Sequence, residues 1–595
     1  SNTRPGVTAA TANCFTTTHR CRTTSCGEFQ DCVKTRGAFR MNVNVKWKRE
    51  LDQEVPDDDW LPPRKIPTQN LLCRLVQRES YPTRQNVSRS LISRQLHQNV
   101  VPHFTIMSVE KPAVFLKKFS PDGRYLFGFS SDQMCIQIFK YLGPHGGAAL
   151  IHNLPGEFID DPSVSRLAFE KYFKRLYNVK IILEASEQLN RECSVFTDDG
   201  KYLIVGSSVY PSTDPQDYEI YRSNESLAAS PQALCEDYAF HLVDIEQGKV
   251  CDRLHFRVDR ILLTHNYGIY LFNRTLAILS LQHQTIRVYE VTLDGKFIKR
   301  HEIGRFCFPD DEELVSAVDP VRDPAGNPYP PYAEACIASL KHRLLVLLYR
   351  KCQGDAHQIK EFCQLFGAIQ QLKMVKMQLL DEDHLLIKFT KEKTLMNRSQ
   401  DASGPSLFTV YCISTAQVLN VYNNTSEELL ALVDNFCEYF RNLPQGCSPS
   451  NNVHSKLLQQ RFKQTILHAR FGGQQEMVKR LLCQLPVSCQ SFNTSPYLDL
   501  ALFSYDDKWV SMFERPKAAG EYPIKFYNRD SGLLRYKMYT GCTRTQGSPG
   551  SRLSGRRLVA FIFHPRDPFV ISVQRANSDY IVNFHVPNDN HHVTL

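Results

Sequence analysis

No stretch of this 595-residue chain is apolar for long enough to cross a membrane. The longest run, LLVLLY at 344 to 349, lies between Arg343 and Arg350 and falls far short of the ~20 residues a helical span needs. No secretory signal pattern opens the sequence. An excess of one charge is also missing: 71 Lys and Arg against 62 Asp and Glu leave +9, with no polybasic run, which weighs against direct nucleic-acid binding. The motifs that carry catalysis are absent too. There is no glycine-rich phosphate loop ending in Gly-Lys-Ser/Thr, no His-Glu-x-x-His helix and no Gly-x-Ser-x-Gly elbow, and HEIG at 301 to 304 lacks the second histidine. No cofactor, no metal and no enzymatic activity are expected. Close-paired cysteine spacing is lacking as well. The 19 cysteines are odd in number and scattered, which favours reduced thiols packed as small hydrophobes, as at Cys135, Cys193 and Cys412.

What is present is repetition. In FSPDGRYLFGFSSDQMCIQIFKY (119 to 141), Pro121, Asp122 and Gly123 supply the fixed φ and permissive backbone of a tight turn between Phe119 and Leu126. Ile136 and Ile138 then alternate against Gln137, as in a strand with one buried face. FTDDGKYLIVGSS repeats the spacing with Phe196, Asp199, Gly200 and Leu203, and FHPRDPFVISVQ with Phe563, Pro565 and Val570. Further turn signals stand at Gln247-Gly248 and Asp294-Gly295. Three copies of one hairpin predict a repeat array, in which each blade packs only on its neighbours and several hundred residues form one body. The 11% aromatic content suits blade faces that pack through bulky strand residues. The predicted fold class is mainly β: a WD-like β-propeller with helical insertions and an N-terminal docking helix.

Along the chain, residues 1–60 lack apolar periodicity and read as disordered or as an upstream extension, with Met41 as a candidate start. Cys14, Cys21, Cys26 and Cys32 are too widely spaced for a structural zinc site. Residues 61–95 hold a short amphipathic helix and a polar connector. In TQNLLCRLVQRES, Leu71, Leu72, Leu75 and Val76 form one apolar stripe, with Arg74 and Arg78 on the other face. So short a helix is marginal in water and needs something to pack on; periodicity alone favours packing on its own domain over docking on a partner. Residues 96–595 read as the propeller body, nearly all strand from 96 to 310 apart from a helix near 163 to 178. A helical insertion is expected at 355–485. There, Phe362, Phe366 and Ile369 share one face, Thr425 and Glu428 are spaced as a capping box, and Leu429, Leu432, Val433, Phe436 and Phe440 form a stripe.

Isolated reactive residues have ordinary readings. Cys363 and Cys437 fall on predicted helices with no local activating partner, so core packing is the expected role. Asp506 and Asp507 are adjacent and would point to opposite faces of a strand, so they read as a turn. His591 and His592 lie in a terminal tail.

Long, uncommon strings then resemble one family. QNVVPHFTIMSVEKPAVFLKKFSPDGRYL, LNRECSVFTDDGKYLIVGS, LAILSLQHQTIRVYEV, KMQLLDEDHLLIKFT, SPYLDLALFSYDDKWVSMFERP and RRLVAFIFHPRDPFVISVQRANSDYIVNFH are similar, in this order, to the De-etiolated family of light-signalling repressors and their animal counterparts. The resemblance implies a non-catalytic adaptor of a cullin-4-type RING ubiquitin ligase, acting in the nucleus and in part the cytoplasm. It implies binding to the damaged-DNA-binding adaptor protein with a small companion subunit, and through that adaptor indirectly to the cullin-4 scaffold. It also implies contact with the Constitutive photomorphogenic RING ligase and with a ubiquitin-conjugating enzyme. Receptors of that adaptor insert a short N-terminal helix into it, which makes Leu71, Leu72, Arg74, Leu75, Val76 and Arg78 the expected partner-binding residues. The alternative is a chromatin-associated propeller acting as a transcriptional corepressor.

Overall fold

The computed structural model describes residues 97–587 apart from 153–156, 185, 211–224, 228–234, 305–339, 392–405, 437–438, 441–459, 461, 501, 507, 512–515, 520–522, 530, 541–556 and 577–578. The readings for residues 1–60, for the helix and connector at 61–95, for Cys437, Asp507, His591 and His592 lie outside the described residues.

The chain enters through β1 (Phe104–Ile106). A first sheet follows, made of β2 (Val114–Phe119), β3 (Tyr125–Ser130), β4 (Cys135–Tyr141) and, after β5 (Phe158–Ile159) and helix α1 (Pro162–Tyr172), β6 (Phe173–Lys180). The second sheet contains β7 (Gln188–Phe196), β8 (Tyr202–Val209), β9 (Glu236–Asp244) and β10 (Lys249–Asp259). The third contains β11 (Ile269–Phe272), β12 (Thr275–Ser280), β13 (Thr285–Val291) and β14 (Phe297–Ile303). Helices α2 (Leu340–Cys352) and α3 (Ala356–Gln370) precede the fourth sheet, β15 (Leu372–Leu379), β16 (His384–Lys391), β17 (Ser406–Cys412) and β18 (Gln417–Asn423). Helices α4 (Glu427–Asn435) and α5 (Gln474–Leu482) come next. β19 (Phe503–Ser504), β21 (Ile524–Asn528) and β22 (Leu534–Met538) form the fifth sheet. The sixth joins β20 (Lys517–Ala519), β23 (Arg557–Phe563), β24 (Val570–Ala576) and β25 (Asp579–Val586) to β1 and β5.

This is a mainly β structure, a propeller of consecutive up-and-down sheets. β1 pairs with β25, Thr105 opposite His585, so the first and last strands of the described body share one sheet and tie its two ends together. Apolar clusters bridge neighbouring sheets: Phe127, Phe129 and Ile138 of the first pack with Phe196 and Val205 of the second. Phe119 and Phe139 of the first pack with Phe569 and Phe584 of the sixth. The far side of the fourth sheet is covered by α4 and α5 through Leu429, Val478 and Leu482.

The repeated hairpin appears as the sequence spacing implies. Phe119 pairs with Leu126, Phe196 with Leu203 and Phe563 with Val570, each pair closing the turn between two consecutive strands of a sheet. All six are buried. Inside the turns the chemistry repeats as well. Ser120 and Thr197 each donate a side-chain hydrogen bond to the aspartate two residues on, at 2.5 Å, and each hydroxyl accepts the amide of the tyrosine five residues on, at 3.0 Å. Gly123 and Gly200 take φ of +78° and +70°, the left-handed region that glycine enters without steric cost.

Four expectations are corrected. The segment 355–485 is not one helical insertion, because the fourth sheet occupies 372–423 within it. Leu372, Met374 and Met377 alternate inward there, and pairing with β16 settles them as strand. The helix read at 163 to 178 ends at Tyr172, and the residues after it pair with β4 as β6. The N-cap of α4 is Ser426, whose hydroxyl accepts the Leu429 amide, and not Thr425. Cys363 is exposed on α3, a helix with no fully buried residue that lies against α2 through Tyr349 and Phe362.

Candidate functional site: the turn face and its cleft

The turns after the first strands of the sheets gather on one face. Nε2 of His564, in the sixth sheet's turn, lies 2.9 Å from the carbonyl oxygen of Gly123 in the first. A Cβ placed on Gly200 of the second would lie 3.7 Å from the carboxyl of Asp122 in the first. Asp199 pairs with Arg274 of the third at 2.7 Å, and Asn273 donates to Glu382 of the fourth at 2.7 Å.

One short segment closes the centre. After α5, Val487 donates its amide to Gln378 at 2.9 Å. The Cys489 thiol accepts the Leu271 amide at 3.3 Å, and Gln490 bonds the Phe196 amide and the Lys118 ammonium. Asn493 reaches the Phe563 carbonyl at 3.4 Å. A segment this short can reach strands of five sheets only where those strands converge on the propeller axis. Burial pushes the thiols of Cys193 and Cys489 up to about 12, so both remain protonated and inert at neutral pH.

The cleft on this face follows from unequal turn lengths. In the third sheet Phe272 pairs with Thr275, leaving only Asn273 and Arg274 as the turn. Its neighbours have longer turns, closed by Phe196 with Leu203 and by Leu379 with Leu385. The third sheet is therefore recessed, and a cleft of about 730 Å³ opens above it. Five carboxylates line it, Asp198, Asp199, Glu290, Glu382 and Asp383, against Arg274 and Arg300, with His301 and Tyr289 between them. Arg300 Nε donates to Glu290 at 2.8 Å. Burial raises the Asp198 carboxyl, opposed by a hydrogen bond from the Asn273 backbone. It lowers the His301 imidazole, opposed by the attraction of Asp383. The cleft thus carries negative charge in a chain of net charge +9, an arrangement suited to basic side chains.

The chain matches the family described as De-etiolated protein 1, Det1, over residues 191–588, about two-thirds of its length. The chain belongs to the De-etiolated protein 1 family. It is 28% identical to the light-mediated development protein DET1 of Solanum lycopersicum over 530 residues, covering 85% of this chain and 97% of that protein. To the Arabidopsis thaliana protein of the same name it is 26% identical over 566 residues, covering 87% and 98%. Among solved structures, the β-propeller domain of Myceliophteria thermophila Cps50 (Swd1) aligns at a TM-score of 0.29 and 9% identity, covering 81% of this chain and 99% of that one. The propeller assignment rests on the sheets described above.

The partner-binding residues expected of this family member, Leu71, Leu72, Arg74, Leu75, Val76 and Arg78, lie outside the described residues. The cleft residues escaped sequence reading. Each belongs to a turn or strand end that is unremarkable by itself, and the only local signals were the acidic run Asp381 to Asp383 and the shortened turn at Asn273-Arg274.

Proposed function

We propose that this chain is a non-catalytic adaptor and substrate-receptor subunit of a cullin-4-type RING ubiquitin ligase, working in the nucleus and in part the cytoplasm. It would bind the damaged-DNA-binding adaptor protein and a small companion subunit, and so reach the cullin-4 scaffold indirectly. It would help bring substrates, the Constitutive photomorphogenic RING ligase and a ubiquitin-conjugating enzyme together. Family membership supports the reading. The observation that carries it is the pairing of β1 with β25, which closes the sixth sheet with the strand at Phe104–Ile106, downstream in the sequence of the leucine-striped segment at 68 to 79. A short apolar helix face is marginal in water, and a groove on the adaptor would take it, with the leucines as anchors and Arg74 and Arg78 at the rim.

The test is the affinity of the full chain for the damaged-DNA-binding adaptor, with Leu72→Ala and Leu75→Ala combined. Loss of anchors of this kind costs about 2 to 4 kcal/mol, a roughly thirtyfold to thousandfold drop in affinity, while the unfolding midpoint of the isolated chain stays unchanged. Arg78→Ala has a smaller effect. Parental affinity in the double variant, or loss of binding accompanied by unfolding, would overturn the reading.

A further inference from the structure

Asp383, His384 and Cys412 meet at the wall of the cleft formed by the fourth sheet. One donor atom from each, a carboxylate oxygen, a ring nitrogen and Sγ, lies within 4.8 Å of the other two. The register of β16 and β17 places His384 directly opposite Cys412. Both are fully buried, while Asp383 lines the cleft and so gives the group an opening to solvent.

Three features of the cluster go beyond coincidence of residue type. The Cys412 thiol donates to Asp383 Oδ2 at 3.1 Å. A proton held between a thiol sulfur and a carboxylate oxygen sits where a thiophilic cation sits once the thiol has ionised. With Zn–S of about 2.3 Å and Zn–O of about 2.0 Å, a tetrahedral site needs these two atoms about 3.5 Å apart, so the pair has to open only slightly.

Next, His384 Nδ1 is held by both oxygens of Asp381, at 2.9 and 2.8 Å. Asp381 in turn is fixed by the amides of Asp383 and His384, each at 2.8 Å. A carboxylate behind one ring nitrogen sets the tautomer and orientation of the imidazole, the support that histidine metal ligands use.

Lastly, Ser414 Oγ lies 2.6 Å from Asp383 Oδ2 and 3.4 Å from Cys412 Sγ on the exposed side of the cluster. A fourth oxygen ligand, hydroxyl or water, can approach there.

We propose that Asp383, His384 and Cys412 bind a zinc-type divalent cation, with the fourth position supplied from the cleft. Thiolate and imidazole donors suit zinc and disfavour calcium and magnesium, which take all-oxygen sites. Binding releases one proton, from the Cys412 thiol. One thiolate and one carboxylate then balance the two charges of the ion, and the histidine binds neutral. The ion would cross-link the turn before β16 to the end of β17 and stiffen one wall of the cleft.

The test uses the full chain, reduced and stripped of metal by a chelator, then titrated with zinc and separately with cobalt(II). The expected result is one zinc per chain that survives gel filtration and a thiolate-to-cobalt charge-transfer absorption. Both are lost in Cys412→Ser, and zinc affinity falls at least tenfold in Asp383→Asn. Asp381→Asn, which alters only the support of the imidazole, lowers affinity about 10- to 100-fold, and zinc raises the thermal midpoint of the parent but not of Cys412→Ser. Should Cys412→Ser fail to fold, Asp383→Asn decides, since Asp383 lies at the cleft and the substitution keeps its shape. Parental zinc stoichiometry and affinity in Asp383→Asn, or no charge-transfer absorption in the folded parent, would overturn the proposal.

Discussion

Nε2 of His564 donates a hydrogen bond to the carbonyl of Gly123, 441 residues earlier in the chain, at 2.9 Å. The tautomer follows from the other ring nitrogen: Nδ1 accepts the amides of Arg566 and Asp567 at 3.2 and 2.7 Å, so the proton is on Nε2. The ring packs edge-on to Phe119, with centroids 4.9 Å apart. This one side chain joins the turn of the last sheet to that of the first.

The same contact makes Gly123 and Gly200 unequal. Both have positive φ, so alanine at either costs about 1 to 2 kcal/mol in backbone strain. A Cβ at Gly123 would also lie 2.4 Å from His564 Nε2, whereas one at Gly200 meets nothing closer than 3.7 Å. Gly123→Ala is expected to lose about 1 to 3 kcal/mol more than Gly200→Ala, read from urea midpoints of the two variants. Equal losses would show that His564 is not held against the turn.

Acid should loosen the joint between the first and last described strands. His585 hydrogen-bonds Thr105 of β1 and Ser572 of β24, both at 3.0 Å, and burial lowers its pKa to about 3. Burial likewise lowers His564, opposed by its bond to Gly123. A histidine depressed in the folded state takes up its proton first in the unfolded chain. Its contribution is therefore intact above an unfolded pKa of about 6.5 and is lost as pH falls toward the folded value. At pH 5 the loss from His585 is about 2 kcal/mol. The drop in unfolding free energy between pH 7 and pH 5 should shrink by about that amount in His585→Gln, even though this variant starts less stable. An undiminished drop would remove His585 from the account.

Gln490 holds the central segment to two sheets. Its side chain accepts from Lys118 Nζ at 2.7 Å and from the Phe196 amide at 3.0 Å, and donates to the Phe196 carbonyl at 2.5 Å. Gln490→Ala leaves a buried ammonium short of one acceptor and a buried amide without its partner. About 2 to 3 kcal/mol of destabilisation is expected, measurable by chemical denaturation, with Gln490→Glu losing less because it keeps the acceptor facing Lys118.

The cap of α4 gives a direct comparison of neighbours. The Ser426 hydroxyl accepts the Leu429 amide at 3.3 Å, so Ser426→Ala should cost about 1 kcal/mol. Thr425→Ala should change stability by less than about half of that. The reverse order in thermal melts would restore the capping box at Thr425.

What the sequence determined by itself was local. The pairing of Phe119 with Leu126, and of its two counterparts, was legible because a hairpin is a short-range object. The turn residues set its register, and alternation shows which face is buried. The sheet at 372–423 was obscured because Met, Leu, Gln and Lys, which fill β15, are good helix formers, and only pairing with β16 settles their conformation. Tertiary structure alone decided the rest. Thr105 meets His585 across 480 residues, Gln490 reaches Phe196, and Asp383 turns toward the same cleft as Asp199 and Arg274. No periodicity encodes such contacts, because they follow from where the ring brings turns and strand ends together and not from the spacing of residues along the chain.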